Sequence, residues 1–187
     1  KADSTFPSVQ AVISYADSLV SDQRTEIAVD ILSDFFQIYQ GDTLNRNYAE
    51  SHLIAGRGYL ELDAYQKAIH HLKRNLLLLQ EINGSLTEIA QSEMYLAEAH
   101  GEMNNYVEMI RYSKDAIKKL RKSGDQVKLA TAYALTGEYF SEQLQKKLGV
   151  YYGSLASEVL NELDTIAPEY AVQIESILGY LYEYEDN

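Results

Sequence analysis

The chain has no cysteine and no tryptophan, and only two prolines and three methionines in 187 residues. Without cysteine there are no disulfides, no thiolate zinc sites and no cysteine nucleophile, although this does not fix the compartment. No apolar run approaches the roughly 18–20 residues that span a bilayer, so this segment is not expected to insert into a membrane. Cations are scarce: 16 Lys and Arg stand against 28 Asp and Glu, a formal charge of −12. Like charges repel, which argues against a nucleic-acid backbone as the main partner. Sustained period-2 alternation is also missing, so no strand is expected. Hydrophobic residues make up 46 %, enough for a real core, and the length suits one domain or one repeat array. The first residue is Lys1 rather than Met, which reads as a processed or excised piece that has lost any signal peptide or anchor.

An internal repeat, weak in identity but tight in spacing, runs through the chain. Small residues stand at Ala16, Gly56, Ala97, Gly137 and Gly179, with gaps of 40, 41, 40 and 42. Three residues after each comes a larger one: Leu19, Tyr59, His100, Phe140 and Tyr182. Twelve residues after the first four come Ala28, Ala68, Met109 and Gly149, and seven beyond these Phe35, Asn75, Ala116 and Ala156. A fixed period of this size signals a stacked repeat architecture.

Each unit reads as two helices. Over 49–84, Leu53, Ala55, Gly56, Tyr59, Leu60 and Leu62 recur at helical spacing. A turn follows at Leu62-Asp63-Ala64, and a second helix carries Tyr65, Ala68, Ile69, Leu72, Leu76 and Leu79 as far as Asn83-Gly84. Turn signals recur in step at Gln40-Gly41-Asp42, Asn83-Gly84-Ser85, Ser123-Gly124-Asp125 and Ala167-Pro168. Antiparallel helices approach closely only where small side chains meet, so the two small columns are expected to face each other at the crossing. One hairpin cannot bury both faces, so neighbours must stack.

These residues resemble the tetratricopeptide repeat, whose signature is W-x2-L-G-x2-Y, then A-x3-F, then Pro. Leu178-Gly179-x2-Tyr182 carries the L-G-x2-Y part, and Ala55-Gly56-x2-Tyr59 with Ala68-x3-Leu72 carries most of the rest. Tyr65 and Tyr106 take the aromatic place at the start of the second helix. The sequence departs from the pattern in its longer period and in the Trp column, which holds His52, Glu93, Tyr133 and Glu175. A HEAT or armadillo array, with a period of about 40–47, is the rival reading. The resemblance implies an all-α, right-handed α-solenoid of antiparallel helix pairs. It implies a single array over 1–187, with repeats near 9–41, 49–84, 90–124 and 130–167 and a final first helix at 170–185. The opening Ala16-Asp17-Ser18-Leu19 also resembles the first repeat of secreted or membrane-tethered bacterial repeat proteins, which points weakly to a periplasmic or extracytoplasmic setting.

Reactive constellations are not found. Among the four histidines, the adjacent His70 and His71 point about 100° apart on a helix and cannot share a metal. No H-E-x-x-H, phosphate-binding glycine loop or G-x-S-x-G occurs; Gly56-Arg57-Gly58 lies inside a helical period. The expectation is therefore a non-enzymatic chain with no metal and no cofactor. Seven of the sixteen cations fall within 18 residues: Arg111, Lys114, Lys118, Lys119, Arg121, Lys122 and Lys128. They read as the solvated outer face of the third second-helix, the other reading being a dock for an acidic partner. No cation follows Lys147, while eight acids do.

By the resemblance, the first helix of each pair lines a concave face. The residues after the small column, and those four further on, then point into a groove. They include Asp17, Arg57, Glu61, Glu98, Glu102, Glu138, Glu142 and Tyr180, with Gln91 and Tyr95 on the same face. The groove is acidic apart from Arg57 and lacks the Lys and Asn set with which chaperone-tail-binding members clamp a C-terminal carboxylate. A basic or amphipathic peptide suits it better. The expected function is a protein- or peptide-binding scaffold, the repeat segment of a larger signalling or regulatory protein. The alternative is the extracytoplasmic ligand-sensing domain of a bacterial membrane-bound sensor kinase or transcription regulator. The apolar stripe Ile174, Ile177, Leu178, Leu181 and Tyr182 on the last helix is expected to meet a continuing chain, the other readings being a second copy or the preceding pair.

Overall fold

The computed structural model describes residues 8–143, 145–163, 172 and 174–179, and no strand occurs among them. Among the described residues, ahead of a helical stretch at 174–179, eight helices follow one another: α1 Val9–Ser21, α2 Thr25–Ile38, α3 Arg46–Glu61, α4 Tyr65–Glu81, α5 Leu86–Glu102, α6 Tyr106–Ser123, α7 Gln126–Glu142 and α8 Lys146–Asn161. They form four hairpins, and each hairpin packs on the next through its first helix, α1 on α3, α3 on α5 and α5 on α7. The second helix of each pair also meets the first helix of the following pair. The molecule is thus an all-α solenoid of antiparallel helix pairs.

The hairpins share one turn. The N–H of Arg24 donates to the Leu19 carbonyl (2.8 Å), Ala64 to Tyr59 (2.8 Å), Asn105 to His100 (2.8 Å) and Gln145 to Phe140 (2.9 Å). This bond reaches back five residues and closes a helix C-terminus around one left-handed residue. Gln23, Asp63 and Asn104 occupy that conformation, at φ 59°, 55° and 57°. The four acceptors are the larger residues that stand three places after each small one. The constant register of the columns therefore reflects a turn of constant length.

Caps divide the same way. Every first helix has a side-chain N-cap: Ser8 accepts from Ala11 N–H, Asn45 from Tyr48, Ser85 from Glu88 and Asp125 from Lys128. Ser85 and Glu88 form a reciprocal capping box. The second helices have none, because the tight turn delivers the chain straight into them. The linker at Gly124, φ 77°, uses the left-handed conformation that glycine adopts readily.

The core runs continuously along the array. Ile13, Leu19, Leu32 and Ile54 fill the first end, Leu72, Leu96, Met109 and Tyr112 the middle, and Leu120, Tyr133 and Ala156 the far end. Tyr59 joins the first to the middle cluster, and Leu135 joins the middle to the last. Small residues permit the crossings, though not uniformly. A Cβ on Gly149 would lie 3.0 Å from the Gly137 carbonyl and collide with Ser141, so there the two small columns do meet. A Cβ on Gly56 would instead lie 2.6 Å from Leu72 Cγ, one turn beyond Ala68. Leu72 folds over the glycine, so the tightest approach there is made by the large residue one turn beyond the small column. Around Gly179 nothing among the described residues lies within 4 Å of such a Cβ.

The Trp column explains the departure from the signature. His52 and Glu93 are buried, as is Tyr133, and each finds a polar partner on a second helix. His52 Nδ1 lies 2.9 Å from His71 Nδ1 and its ring stacks on Phe36 at 4.3 Å. Glu93 takes both oxygens to Lys119 Nζ, at 2.7 and 2.9 Å. Tyr133 accepts from Arg121 Nε at 2.6 Å. Asn75 adds a fourth polar tie: it donates to the Ala49 carbonyl at 2.7 Å and accepts from Ser92 Oγ, so it joins α4 to α3 and α5.

Residues 174–179 are helical, and Ile174, Ile177 and Leu178 are buried against the cluster of Leu120, Tyr133 and Ala156. This part of the terminal stripe is covered by the preceding helices, so it does not require a second copy. Leu181 and Tyr182 lie outside the described residues, as does Ala167-Pro168.

Candidate functional site

The groove residues come from one face of each first helix. Asp17 on α1 and Arg57 on α3 are joined by an ion pair of 3.0 Å, so the one cation of the expected groove is already neutralised. Glu61 at the end of α3 accepts a hydrogen bond of 2.6 Å from Thr25. Beyond it, α5 supplies Glu98 and Glu102, and α7 supplies Glu138 and Glu142.

These last five carboxylates form one electrostatic group. Burial, together with the charges of Glu102, Glu138 and Glu61, pushes the Glu98 carboxyl up to about 7. Burial followed by Glu142 raises Glu138, and burial followed by Glu102 raises Glu142. No cation offsets any of the three shifts. Tyr139 lies buried behind them, and its hydroxyl is held neutral by burial and by the same acids. Further along, burial and the charges of Asp17 and Glu88 raise Glu50. There the acids are partly offset, since Arg46 pairs with Glu88 and draws on Glu50 while Arg57 pairs with Asp17, so the uncompensated acids are those of α5 and α7.

Beside Glu98 a cavity of about 340 Å³ opens between α5 and α7. Gln91, Tyr95 and Glu98 line it with Met94, Leu120, Lys128, Thr131, Ala132 and Leu135. Gln91 also borders a second depression of about 270 Å³, where Leu53 and Leu79 sit beside Arg46, Glu50 and Glu88. The arrangement can therefore receive an apolar side chain beside a cation. It offers no nucleophile–base pair, and no group of three His, Asp or Glu side chains among the described residues is placed to hold a metal. No described helix is long and apolar enough to cross a membrane.

The structure thus gathers Glu61, Glu98, Glu102, Glu138 and Glu142, and it sets Gln91 and Tyr95 at the adjoining cavity. Asp17 and Arg57 instead engage each other near the first pair. Tyr180 lies outside the described residues. Met94, Lys128 and Leu135 were not anticipated: the sequence groups Lys128 with the outer cations and singles out neither Met94 nor Leu135, yet all three line the gap between α5 and α7. The cation cluster is not one solvated face, as the sequence suggests. Lys119 turns inward to Glu93, Arg111 pairs with Glu108 (2.5 Å) and Asp115 (3.6 Å), and Lys128 lines the concave cavity. Only Lys114, Lys118, Arg121 and Lys122 remain together on the outer side.

The histidine pair was missed altogether, because its members lie 19 residues apart on different helices. Burial first, then the neighbouring imidazole of His71, lowers His52 to about 3; burial first, then His70, lowers His71 to about 4. Both rings are neutral at pH 7, so one Nδ1 donates and the other accepts. His52 Nε2 is buried without a partner. An orphaned N–H costs more than an orphaned lone pair, so His52 carries its proton on Nδ1 and donates to His71.

No family model matches the chain, and no curated protein matches it. Solved structures do. The chain is similar to MamA, at 20 % identity and a TM-score of 0.64 over 83 % of this chain and 80 % of that one. It is similar to BtubC (BKLC) from P. vanneervenii, at 14 % identity and a TM-score of 0.75 over 95 % of this chain and 73 % of that one. It is also similar to the nearly identical TPR-like repeats of a kinesin light chain-type protein from Podosopora anserina, at 16 % identity and a TM-score of 0.66 over 95 % and 87 %. At these identities the likeness establishes the fold, which is that of the tetratricopeptide-like repeat solenoids.

Proposed function

We propose that this tetratricopeptide-like solenoid is a non-enzymatic binding module whose concave face takes a basic or amphipathic peptide segment of a partner protein. The observation that carries the reading is the uncompensated acidity of the groove. Glu98 and Glu138 are held partly out of water beside Glu142, and no cation among the described residues offsets the upward shift of their carboxyls. A Lys or Arg from a partner would relieve that repulsion, and an apolar neighbour on the same peptide would enter the cavity at Met94, Tyr95 and Leu135. Charge complementarity of this kind favours specificity and association rate.

The test is binding of labelled cationic amphipathic peptides, followed by fluorescence anisotropy, to the native chain and to charge-reversed variants. Glu98→Lys with Glu138→Lys is expected to weaken binding at least about tenfold, while Glu26→Lys on the exposed face of α2 leaves it unchanged. Equal affinity for the groove variant and the native chain, with helicity intact by circular dichroism, would reject the assignment.

A further inference from the structure

We propose that the outer groove between α6 and α8 is a second docking surface, of opposite sign, for an extended acidic peptide of a partner protein that alternates carboxylates with apolar or aromatic side chains. The groove encloses about 490 Å³. Lys114, Lys118, Arg121 and Lys122 form one wall on α6, Tyr151, Tyr152 and Leu155 the other on α8, and Tyr133 closes the floor from α7. No backbone contact joins α6 to α8, so the trough stays open.

Charge favours an acidic occupant. The chain has 28 acidic side chains, and Arg46, Arg57, Arg111 and Lys119 each find one. Lys114, Lys118, Arg121 and Lys122 make no ion pair with any described residue. Like charges at helical i, i+4 spacing repel, so four unpaired cations side by side are a local cost that an incoming anion removes.

The spacing of the lysines matches an extended chain. Lys114, Lys118 and Lys122 recur every four residues, which at about 1.5 Å of rise puts successive ammonium groups roughly 6 Å apart. In an extended peptide, alternate side chains are separated by roughly 6.6 Å, a mismatch that flexible lysines absorb. Carboxylates on alternate positions would then meet the lysines, while the intervening side chains face α8.

The opposite wall is largely aromatic. Tyr151 is 56 % exposed, a large ring left in water at the lip of a cavity. Behind it Tyr152 is fixed by Tyr151 at 5.4 Å, Phe140 at 5.4 Å and Tyr133 at 6.3 Å. Arg121 is held by its bond to Tyr133, with the guanidinium 5.5 Å from that ring, and its terminal N–H groups remain free to donate. Tyrosine walls supply contact area with little rotamer entropy to lose. A basic, tyrosine-lined trough also suits single-stranded nucleic acid. The chain's charge of −12 disfavours a polyanion that extends beyond the trough, whereas a short peptide stays within reach of the four cations.

The experiment uses the full chain at about 0.15 M salt, where screening over roughly 8 Å silences distant acids but not contact pairs. Two fluorescein-labelled heptapeptides of equal composition are compared by anisotropy. One alternates glutamate with leucine and tyrosine, and the other carries its glutamates in one block. The alternating peptide is expected to bind about five times more tightly or better. Lys118→Glu with Lys122→Glu should weaken it at least about tenfold, and Tyr151→Ser about threefold. All three side chains are exposed, and Lys118→Ala with Lys122→Ala offers a milder pair if the reversal perturbs folding. Glu98→Lys should leave this binding unchanged, which separates it from the concave groove. Equal affinity for the two peptides, indifference to the lysine variants, or tighter binding and displacement by oligothymidylate would overturn the proposal.

Discussion

Above pH 7 the buried His52–His71 pair is neutral both in the fold and in the unfolded chain, and it adds nothing to the pH dependence of stability. Its folded-state pKa values lie at about 3 and 4, below the ordinary 6.5. As pH falls below 6.5 the unfolded chain takes up protons that the folded pair refuses, so stability is lost progressively toward pH 4. The expected loss is about 1 kcal/mol per imidazole for each pH unit in that window. Urea unfolding at pH 7.5 and 5.5 should show it, and His52→Phe with His71→Leu should flatten the slope. A slope that survives the double substitution would remove the pair from the account. Glu98 runs the other way. Its carboxyl sits at about 7 in the fold against 4.5 as a reference, so its charge penalises folding above pH 7, and the penalty fades as pH falls toward 4.5. Glu98→Gln should therefore raise stability at pH 8, by about 1 kcal/mol, while weakening a cationic partner. The native groove should bind such a partner more tightly at pH 8 than at pH 6, with protons released on binding, and calorimetry in buffers of different ionisation enthalpy would detect them.

Helices interlock through a few buried contacts whose loss is predictable. Asn75→Ala removes the donor to the Ala49 carbonyl and leaves the Ser92 hydroxyl only the Glu88 carbonyl of its own helix, at about 1–3 kcal/mol. Gly149→Ala drives a methyl against the Gly137 carbonyl where α7 and α8 cross, again about 1–3 kcal/mol. Midpoints of chemical denaturation measure both, and a neutral Gly149→Ala would show that the α7–α8 spacing can relax. This scale also marks how far the sequence could be read. The helices were legible, because apolar residues at period 3.6 and the glycines at Gly84 and Gly124 are local signals. The acids of the groove were legible through helical phase, given a concave face. The polar partners were not. His52 with His71 and Glu93 with Lys119 are meetings across hairpins, and a single chain read along its length carries no mark of them. The four lysine-wall residues looked like one member of a larger cluster for the same reason: only packing decides which cations turn inward.

Among the described residues the core is continuous, and two partly buried residues pack against two clusters at once. Tyr59 links the first cluster to the middle one, and Leu135 links the middle one to the last. Solenoid stability is a sum of units and their interfaces, so weakening one link should uncouple the ends. Leu135→Ala is expected to convert a single unfolding transition into two, seen as non-coincident tyrosine fluorescence and far-ultraviolet dichroism curves. One coincident transition, merely shifted, would show that the α5–α7 contact alone couples the halves. The four hairpin turns carry a different consequence. Each closes over the same span, from Leu19 to Arg24, Tyr59 to Ala64, His100 to Asn105 and Phe140 to Gln145, whereas the connectors between hairpins run from the seven residues 39–45 down to Gly124 and Asp125. Evolution, or an engineer, can thus lengthen this protein at Gly41–Leu44 without disturbing a hairpin, but a single residue added at Gln23, Asp63 or Asn104 would rotate everything downstream of it by a fraction of a helical turn.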